Sequence, residues 1–189
     1  MNIREEVIGI EAELIELRRY FHQHAEQSWQ EFNTQRKIKE YLDELGISYE
    51  TPYKTAVVAT IRGANSSDHI LGIRADIDAL PITEQTECSF KSENEGTMHA
   101  CGHDTHTAIL LATAKLLAQH KDELPLTVRL IFQPAEEFIE DSGALHMKTI
   151  PSVLECERLI GLHIMSDFAA GDAALSEGPI MASADTFDV

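Results

Sequence analysis

A chain of 189 residues with 43% hydrophobic and 25% charged residues has the composition of a globular protein, and its length fits one domain with a sizeable core. Its 32 acidic and 15 basic residues give a formal charge of -17, which repels phosphate backbones and anionic membrane surfaces. We therefore expect neither nucleic acid nor a membrane as partner, and we expect metal cations to be the favoured ligands.

The three cysteines are Cys88, Cys101 and Cys156. Their odd number and irregular spacing do not suggest a disulfide framework, and the first residues lack the apolar core of a signal peptide. No apolar run approaches the roughly 20 residues that span a bilayer. We expect Cys88 and Cys156 to be free thiols and the protein to be cytoplasmic.

Two amphipathic helices are predicted at the start of the chain. From Ile3 to Phe21 apolar residues recur at spacings of three and four, which is typical of a helix with one buried face. His22 and His24 follow, and we expect both to be solvated or to cap the helix end. A second helix over 31–45 is predicted to end at Gly46.

Short strands are predicted next. Residues 55–61 and 70–73 are β-branched or apolar, and a polar turn of hairpin length at 63–68 joins them. Asp76 and Asp78 follow the second strand. They would lie at the edge where open α/β sheets place their chemistry, although a pair of solvated acids is the alternative.

One thiol and three imidazoles are concentrated between Met98 and His106, after a segment over 81–97 that is predicted to be a loop. Cys101 and His103 stand two apart, so both can project to one side of a backbone that bends at the glycine between them. Thiolate and imidazole suit zinc and similar divalent metals, although without further ligands these groups could be buried or solvated. An apolar helix is predicted over 108–117.

Two later strands bring more residues of the ligand type. The strand predicted over 126–132 runs into Glu136 and Glu137, whose side chains point different ways, so that one could bind a metal while the other faces a substrate. The apolar strand predicted over 159–164 carries His163. Each residue alone could be structural, but parallel strands end along one edge, and the set favours a metal-binding cleft.

The order of these blocks resembles that of the binuclear metallo-amidohydrolases, a branch of the zinc aminopeptidase and carboxypeptidase superfamily. This group includes aminoacylases, hippurate hydrolases and hydrolases of indole-acetic-acid conjugates with amino acids. The resemblance implies an α/β fold, a three-layer zinc-peptidase-like catalytic domain with a central, mostly parallel sheet. The matching blocks are Arg18 to His22 with Glu31, Arg74 to Pro81, Met98 to His106, Phe132 to Glu137, and Gly161 to His163.

The resemblance also implies residue roles. Glu136 would be the general base, and Asp76 would orient a ligand or Arg74 without touching a metal. Two divalent metal ions, Zn²⁺ or Mn²⁺, would be the cofactors. The implied metal ligands are Cys101, as a bridging thiolate, His103, Glu137 and His163.

The resemblance covers essentially the whole chain but only about the first half of a family member's usual length. We therefore expect 1–185 to be the N-terminal part of a catalytic domain, apparently truncated. Residues 171–178 are predicted to be an edge strand or turn, and 186–189 to begin a strand. That strand would start a missing dimerisation or lid domain, through which a homodimer could form and after which the family supplies one more histidine ligand.

The activity that the resemblance implies is hydrolysis of the amide bond of N-acyl amino acids or related small conjugates. Two alternatives stay open. The chain could be an inactive fragment that keeps the fold and part of the metal binding, or it could belong to a dipeptidase or carboxypeptidase of the same superfamily. The sequence does not specify the acyl group or the amino acid.

Overall fold

A five-stranded mixed sheet lies between two layers of helices. The computed structural model describes residues 2–64 and 68–181. The helices are α1 (Ile3–Gly9), α2 (Glu11–Gln23), α3 (Phe32–Glu44), α4 (His103–Gln119), α5 (Gly143–Met147) and α6 (Pro151–Leu154). The strands are β1 (Ser48–Glu50), β2 (Val57–Arg62), β3 (Ile70–Asp76), β4 (Thr127–Gln133) and β5 (Arg158–Gly161). Two 3-10 turns lie at Lys121–Glu123 and Ile139–Asp141.

The first predicted helix is interrupted. Instead of one helix over 3–21, α1 ends at Gly9 and α2 starts after Ile10, which has φ -107° and ψ 4°. Glycine is a weak helix former, and α1 buries none of its residues, so no tertiary packing carries the helix across this point. α2 by contrast is anchored by the buried side chains of Leu17 and Phe21.

The second predicted helix is confirmed as α3. It ends just before Gly46, whose φ of 65° lies in the left-handed region that commonly follows a helix. At its start, the carboxylate of Glu26 accepts the backbone N–H groups of Asn33 at 3.1 Å and Thr34 at 2.9 Å. A side chain from the preceding turn thus satisfies amides that the helix itself leaves unpaired.

The strand order in the sheet is β1-β2-β4-β3-β5. β2 is antiparallel to both of its neighbours, and β3 is parallel to β4 and β5, so every strand except β2 runs in one direction. The predicted mostly parallel sheet is confirmed. β2 and β3 do not form the expected hairpin, because the almost wholly buried β4 lies between them. Of the turn predicted at 63–68, residues 65–67 lie outside the described residues.

Helices cover both faces of the sheet. α2, α3 and α4 pack on one face around a core that includes Phe21, Leu42, Leu111 and Phe132. α5 and α6 lie on the other face, where Ala56, Val58, Ile131, Met147 and Ile150 form a smaller cluster. The three-layer α/β architecture is therefore present. Within the described ranges, no helix has both the length and the apolar character needed to cross a membrane.

The last strand is shorter and more exposed than predicted. The pattern over 159–164 predicted a buried strand, but β5 ends at Gly161 and all of its residues are exposed, with Leu159 at 59% and Ile160 at 53%. The reason is its position at the sheet edge, where it pairs with β3 alone. Residues 171–178 form no strand, and the strand predicted over 186–189 lies outside the described part of the chain.

The region between β3 and β4 follows the prediction more closely. Residues 81–97 form a loop, closed at its base by a bridge between Leu80 and Met98. α4 begins at His103, earlier than the predicted start at residue 108. Its first turn is polar, so the apolar pattern missed it, yet His103, Asp104, His106 and Thr107 are all buried there.

Candidate metal centre

The residues of the ligand type converge at the carboxyl ends of three neighbouring strands. Asp76 is the last residue of β3, Glu136 and Glu137 follow the end of β4, and His163 follows β5. His103 is the first residue of α4, the helix that packs on β3. The fold thus brings the predicted set to one edge of the sheet, as expected for open α/β sheets.

Gly102 makes the turn that leads into α4. Its φ of 88° lies in the left-handed region, which glycine adopts without steric cost. A Cβ atom at this position would also lie only 2.3 Å from Cγ2 of Ile164. Conformation and space both exclude a side chain here, and the resulting turn leaves the ligand atoms of Cys101, His103 and His163 within 4.8 Å of one another.

The ring of His103 is held by Asp78. Its Nδ1 lies 2.9 Å from the backbone carbonyl of Asp78 and 3.3 Å from Oδ1 of the same residue. Because a carbonyl oxygen only accepts, Nδ1 carries the proton and the lone pair is on Nε2. Nε2 faces three carboxylates, at 3.5 Å from Asp76, 4.0 Å from Glu136 and 3.8 Å from Glu137. A histidine held through Nδ1 with Nε2 free is the usual arrangement of a metal ligand.

Cys101 lies beside the second histidine of the site. Its Sγ is 3.3 Å from Nε2 of His163, whose Nδ1 donates to the carbonyl of Ile164 at 2.7 Å. This ring is therefore also held through Nδ1, with its lone pair toward the thiol. Burial, the hydrogen bond with Glu137 and nearby carboxylates raise the pKa of Cys101 to about 12. A thiolate at this position needs a neighbouring cation to be stable.

The adjacent glutamates differ in exposure. The side chain of Glu137 is 21% exposed, and that of Glu136 is 41% exposed and opens toward solvent. Burial and the charge of Glu137 raise the pKa of Glu136. The backbone N–H of Glu137 donates to Oδ2 of Asp78 at 3.0 Å, so the residue that holds His103 also holds this loop.

The residues present fit a divalent transition metal. Among the described residues, the buried atoms Nε2 of His103 and Oε1 of Glu137 have no hydrogen-bond partner. Burial opposes a charge on His103, but Asp78 and Asp76 outweigh it and raise the pKa of this imidazole, so the site favours positive charge. One thiol, two imidazoles and carboxylates form a donor set that zinc and its neighbours prefer.

Asp76 lies behind the site and makes two charged hydrogen bonds, in addition to its 3.5 Å contact with Nε2 of His103. Its Oδ2 accepts a hydrogen bond from Arg74 at 2.6 Å, and its Oδ1 accepts one from Nδ1 of His106 at 2.6 Å. Burial acts to raise the pKa of Asp76, but His106 and Arg74 outweigh it and hold the pKa at about 2. The contact with Arg74 is one of the two alternative roles that the resemblance implied for Asp76.

Asp78 and His106 were named from the sequence, but neither was assigned the role that this geometry gives it. Asp78 orients His103, and His106 accepts the backbone N–H of Ile164 at 3.0 Å, which ties the segment carrying His163 to α4. A signal for His106 was present, since His103 and His106 are three apart and thus lie on one face of a helix. The hydrogen bonds between Asp78 and His103 join residues that are distant in the chain, so no local sequence pattern predicts them.

A separate buried cluster corrects the expectation for His22. This histidine is not solvated, because it lies between Asp104, at 2.6 Å from its Nδ1, and Glu84, at 3.2 Å from its Nε2. Arg18 adds a contact of 3.0 Å with Asp104. His24, in contrast, donates to the carbonyl of Tyr20 at 2.7 Å, as a residue that caps a helix end would.

A helix-covered sheet whose strand ends gather thiol, imidazole and carboxylate donors defines a chain of the metallopeptidase class. Residues 72–178, more than half of the chain, match the peptidase family M20/M25/M40. The chain belongs to this family.

Relatives support the same placement. N-acetylcysteine deacetylase of Bacillus subtilis (strain 168) is 46% identical over 178 residues, which cover 93% of this chain and 46% of that protein. Thermostable carboxypeptidase 1 of Saccharolobus solfataricus is 42% identical over 189 residues, covering 99% of this chain and 48% of that protein. The chain spans about half the length of the curated relatives it matches.

A solved structure agrees with the observed fold. A Bacillus subtilis protein described as a dinuclear metal binding peptidase from M20 family superposes with a TM-score of 0.76 and 44% sequence identity. The superposition covers 84% of this chain and 44% of that chain.

Proposed function

We propose that the chain is the N-terminal half of a metal-dependent hydrolase that cleaves the amide bond of N-acyl amino acids. The proposal rests on one observation, which is that the ligand atoms of the site lie close together. These atoms belong to Cys101, His103, Glu137 and His163, and the half-exposed Glu136 lies beside them. Two of the atoms, in His103 and Glu137, are buried and have no hydrogen-bond partner. The Bacillus subtilis relative is an N-acetylcysteine deacetylase, which supports an N-acyl amino acid as substrate.

Two divalent metal ions, Zn²⁺ or Mn²⁺, are the proposed cofactors. His103 belongs to three groups of candidate ligand atoms, and the two that contain the proposed ligands, one with Cys101 and His163 and the other with Glu136 and Glu137, support two neighbouring ions. The description of the related structure as dinuclear supports the same number. When bound, such a pair polarises the amide carbonyl and makes water more acidic.

Glu136 is the proposed general base. Its carboxylate takes a proton from the attacking water and passes it to the nitrogen of the leaving amine, so that the amide bond breaks with balanced charge. Its partial exposure supports this assignment, because a base must reach the substrate, whereas the more buried Glu137 is suited to hold a metal. Asp76 supports the site through Arg74 and His106 and needs no metal contact.

The test compares two neighbouring isosteric substitutions. We expect Glu136→Gln to lower the turnover of an N-acetyl amino acid by about 10²- to 10⁴-fold with its metal content intact. Glu137→Gln should lose metal as well as activity. Metal content is measured by elemental analysis after dialysis, and turnover by release of the free amino acid. Equal metal loss in the two variants would refute the assignment of the base.

A peptide substrate is the second candidate, because a carboxypeptidase is among the relatives. The same metals and base would serve a peptide bond as well as an N-acyl bond. Assaying one preparation with N-acetyl amino acids, dipeptides and N-blocked peptides separates the candidates by their kcat/KM ratios. No turnover of any of them by a metal-loaded chain would favour a non-catalytic binding module.

We further propose that 1–185 form the N-terminal part of a catalytic domain and that 186–189 begin a dimerisation or lid domain. The half-length matches to relatives support this division. The same proposal includes a cytoplasmic location and a homodimer formed through the further domain. Limited proteolysis of a longer chain from the same locus, followed by sizing of the products, tests the boundary and the dimer together.

A further inference from the structure

Ala135 has an unusual backbone conformation directly before the two glutamates of the site. Its φ of 48° lies in the left-handed region, where a side chain with a Cβ is disfavoured. The residue is fully buried. A strained residue next to functional side chains needs surrounding contacts that hold it there, and its release would turn the following peptide groups.

Both backbone polar groups of Ala135 are held by buried partners. Its N–H donates to Oε1 of Glu31 at 2.8 Å, and its carbonyl accepts the N–H of Gly143 at 2.9 Å. Gly143 packs so closely that a Cβ there would overlap the carbonyl of Pro134. The other oxygen of Glu31 accepts the hydroxyl of Thr55 at 2.6 Å.

Burying the carboxylate of Glu31 costs more free energy than a purely structural contact would need. It is fully buried, and burial raises the pKa of its carboxyl group while the hydrogen bonds oppose this. Burying a carboxylate costs free energy unless its oxygens are hydrogen-bonded, so the use of one here points to a need for a specific acceptor. Asp78 holds the N–H of Glu137 in the same way, so two carboxylates hold alternate amides on either side of Glu136.

We propose that Glu31 is a positioning residue, which clamps the N–H of Ala135 and thereby aims the side chains of Glu136 and Glu137. This inference rests on the proposed function for the roles of those two glutamates. It assigns Glu31 no contact with substrate or metal. Its effect on the site passes through the left-handed residue that precedes the pair.

The experiment measures Co²⁺ binding and the exchange of the Ala135 amide. We expect Glu31→Leu to speed hydrogen exchange at Ala135 and to weaken Co²⁺ binding by about 10- to 100-fold, the range typical when support of a metal ligand is lost. In the Glu31→Leu background, Ala135→Gly should recover a large part of the affinity, because glycine takes the left-handed conformation freely. Glu31→Gln, whose amide oxygen can still accept from Ala135, should stay close to wild type.

Glu26→Leu is the matched control. Glu26 is a buried glutamate in the same turn, but it caps α3 through Asn33 and Thr34 and does not contact Ala135. It should lower the free energy of unfolding while leaving Co²⁺ affinity and the exchange of Ala135 unchanged. Equal loss of affinity in Glu26→Leu and Glu31→Leu would overturn the inference, because general destabilisation would then explain both.

Two further outcomes are decisive. Should Glu31→Leu fail to fold, Glu31→Asp takes its place, because the shorter side chain cannot reach both Ala135 and Thr55, and wild-type affinity in that variant overturns the clamp. Weak Co²⁺ binding is expected of residues 1–189 alone, whereas absence of any binding by the wild-type chain, even in a large excess of Co²⁺, would refute the proposed metal centre. The clamp would then be judged by the exchange of Ala135 alone, and unchanged protection in Glu31→Leu would overturn it.

Discussion

At Cys101 a single sulfur atom lies within reach of His163 and Glu137, in surroundings that disfavour its charged form. The raised pKa describes the thiol without a cation beside it. A site with this much negative charge and a neutral thiol has a strong tendency to take up a cation, because the ion removes both the repulsion and the cost of burying the charges.

The thiol therefore gives a direct prediction. We expect Cys101→Ser to lower the metal content sharply, because a neutral hydroxyl is a poor substitute for a thiolate shared by two cations. Elemental analysis after dialysis measures the change, and Cys156→Ser is the control, because Cys156 belongs to no group of candidate ligand atoms among the described residues. Retention of both metals by Cys101→Ser would show that Cys101 is a bystander.

Single residues also show how far the sequence could be interpreted. Cys101, His103 and the two glutamates were found because their spacing and their place after strands suggest chemistry. The role of Asp78 was not found, because the contacts of its backbone carbonyl and its carboxylate with the ring of His103 depend on how α4 docks on β3. Such contacts between distant residues leave no local pattern.

Among the elements, a buried contact outside the metal centre links α2 to α4 and to the loop over 81–97. His22 of α2 lies between Asp104 of α4 and Glu84 of the loop over 81–97. The hydrogen bond with Asp104 raises the pKa of His22. Burial acts to lower this pKa, and the hydrogen bond with Glu84 raises it further. Burial acts to raise the pKa of Glu84, but its hydrogen bonds, including those from Thr86 and His22, lower it to about 2.

This link predicts a pH dependence of stability. A histidine with a raised folded pKa contributes fully below its unfolded value of about 6.5 and loses that contribution as the pH rises through the folded pKa. Glu84 contributes above its unfolded value of about 4.5 and loses that contribution as the pH falls toward 2. The contribution of the link is therefore greatest between these two unfolded values.

We expect the free energy of unfolding lost in His22→Gln to be larger near about pH 5.5 than near about pH 9. Urea denaturation of wild type and variant at both pH values measures the difference. A loss that is constant, or that grows as the pH rises, would contradict the assignment of His22 as a charged partner of Asp104 and Glu84.

Element boundaries were predicted less well than element types. The interruption at Ile10 was not visible, because the apolar spacing continues through Gly9 while the tertiary packing begins only in α2. The exposure of β5 was also unexpected, since an apolar run of this length is usual for a buried strand. Both errors have one cause, which is that burial is decided by neighbours distant in the chain.

For the whole molecule, the most notable feature is the apolar surface around and beyond β5. Leu159, Ile160, Leu162 and Ile164 are each about half exposed, and Leu175 is almost completely exposed. An edge strand bearing apolar side chains favours association with another chain.

We predict that residues 1–189 expressed alone bind metal weakly, hydrolyse N-acetyl amino acids poorly and self-associate. Four proposed protein ligands for two cations leave at least one ion dependent on water, and nothing among the described residues closes over a substrate. The comparison is with a longer chain from the same locus, assayed in excess Zn²⁺ or Mn²⁺ and sized by light scattering. Comparable turnover by the two chains would refute the prediction.

The central place of β4 in the sheet also determines how the chain can fold. β4 pairs Phe132 with Val57 and Thr127 with Ile70, so both of its neighbours come from much earlier in the sequence. Contacts between distant residues require a long loop to close, and the chain entropy lost in closing it is not offset until the contact forms. Such contacts therefore slow folding. During synthesis, β2 can therefore pair only with β1, and β3 has no partner strand in the sheet, until β4 emerges from the ribosome. The metal centre can assemble only after that step.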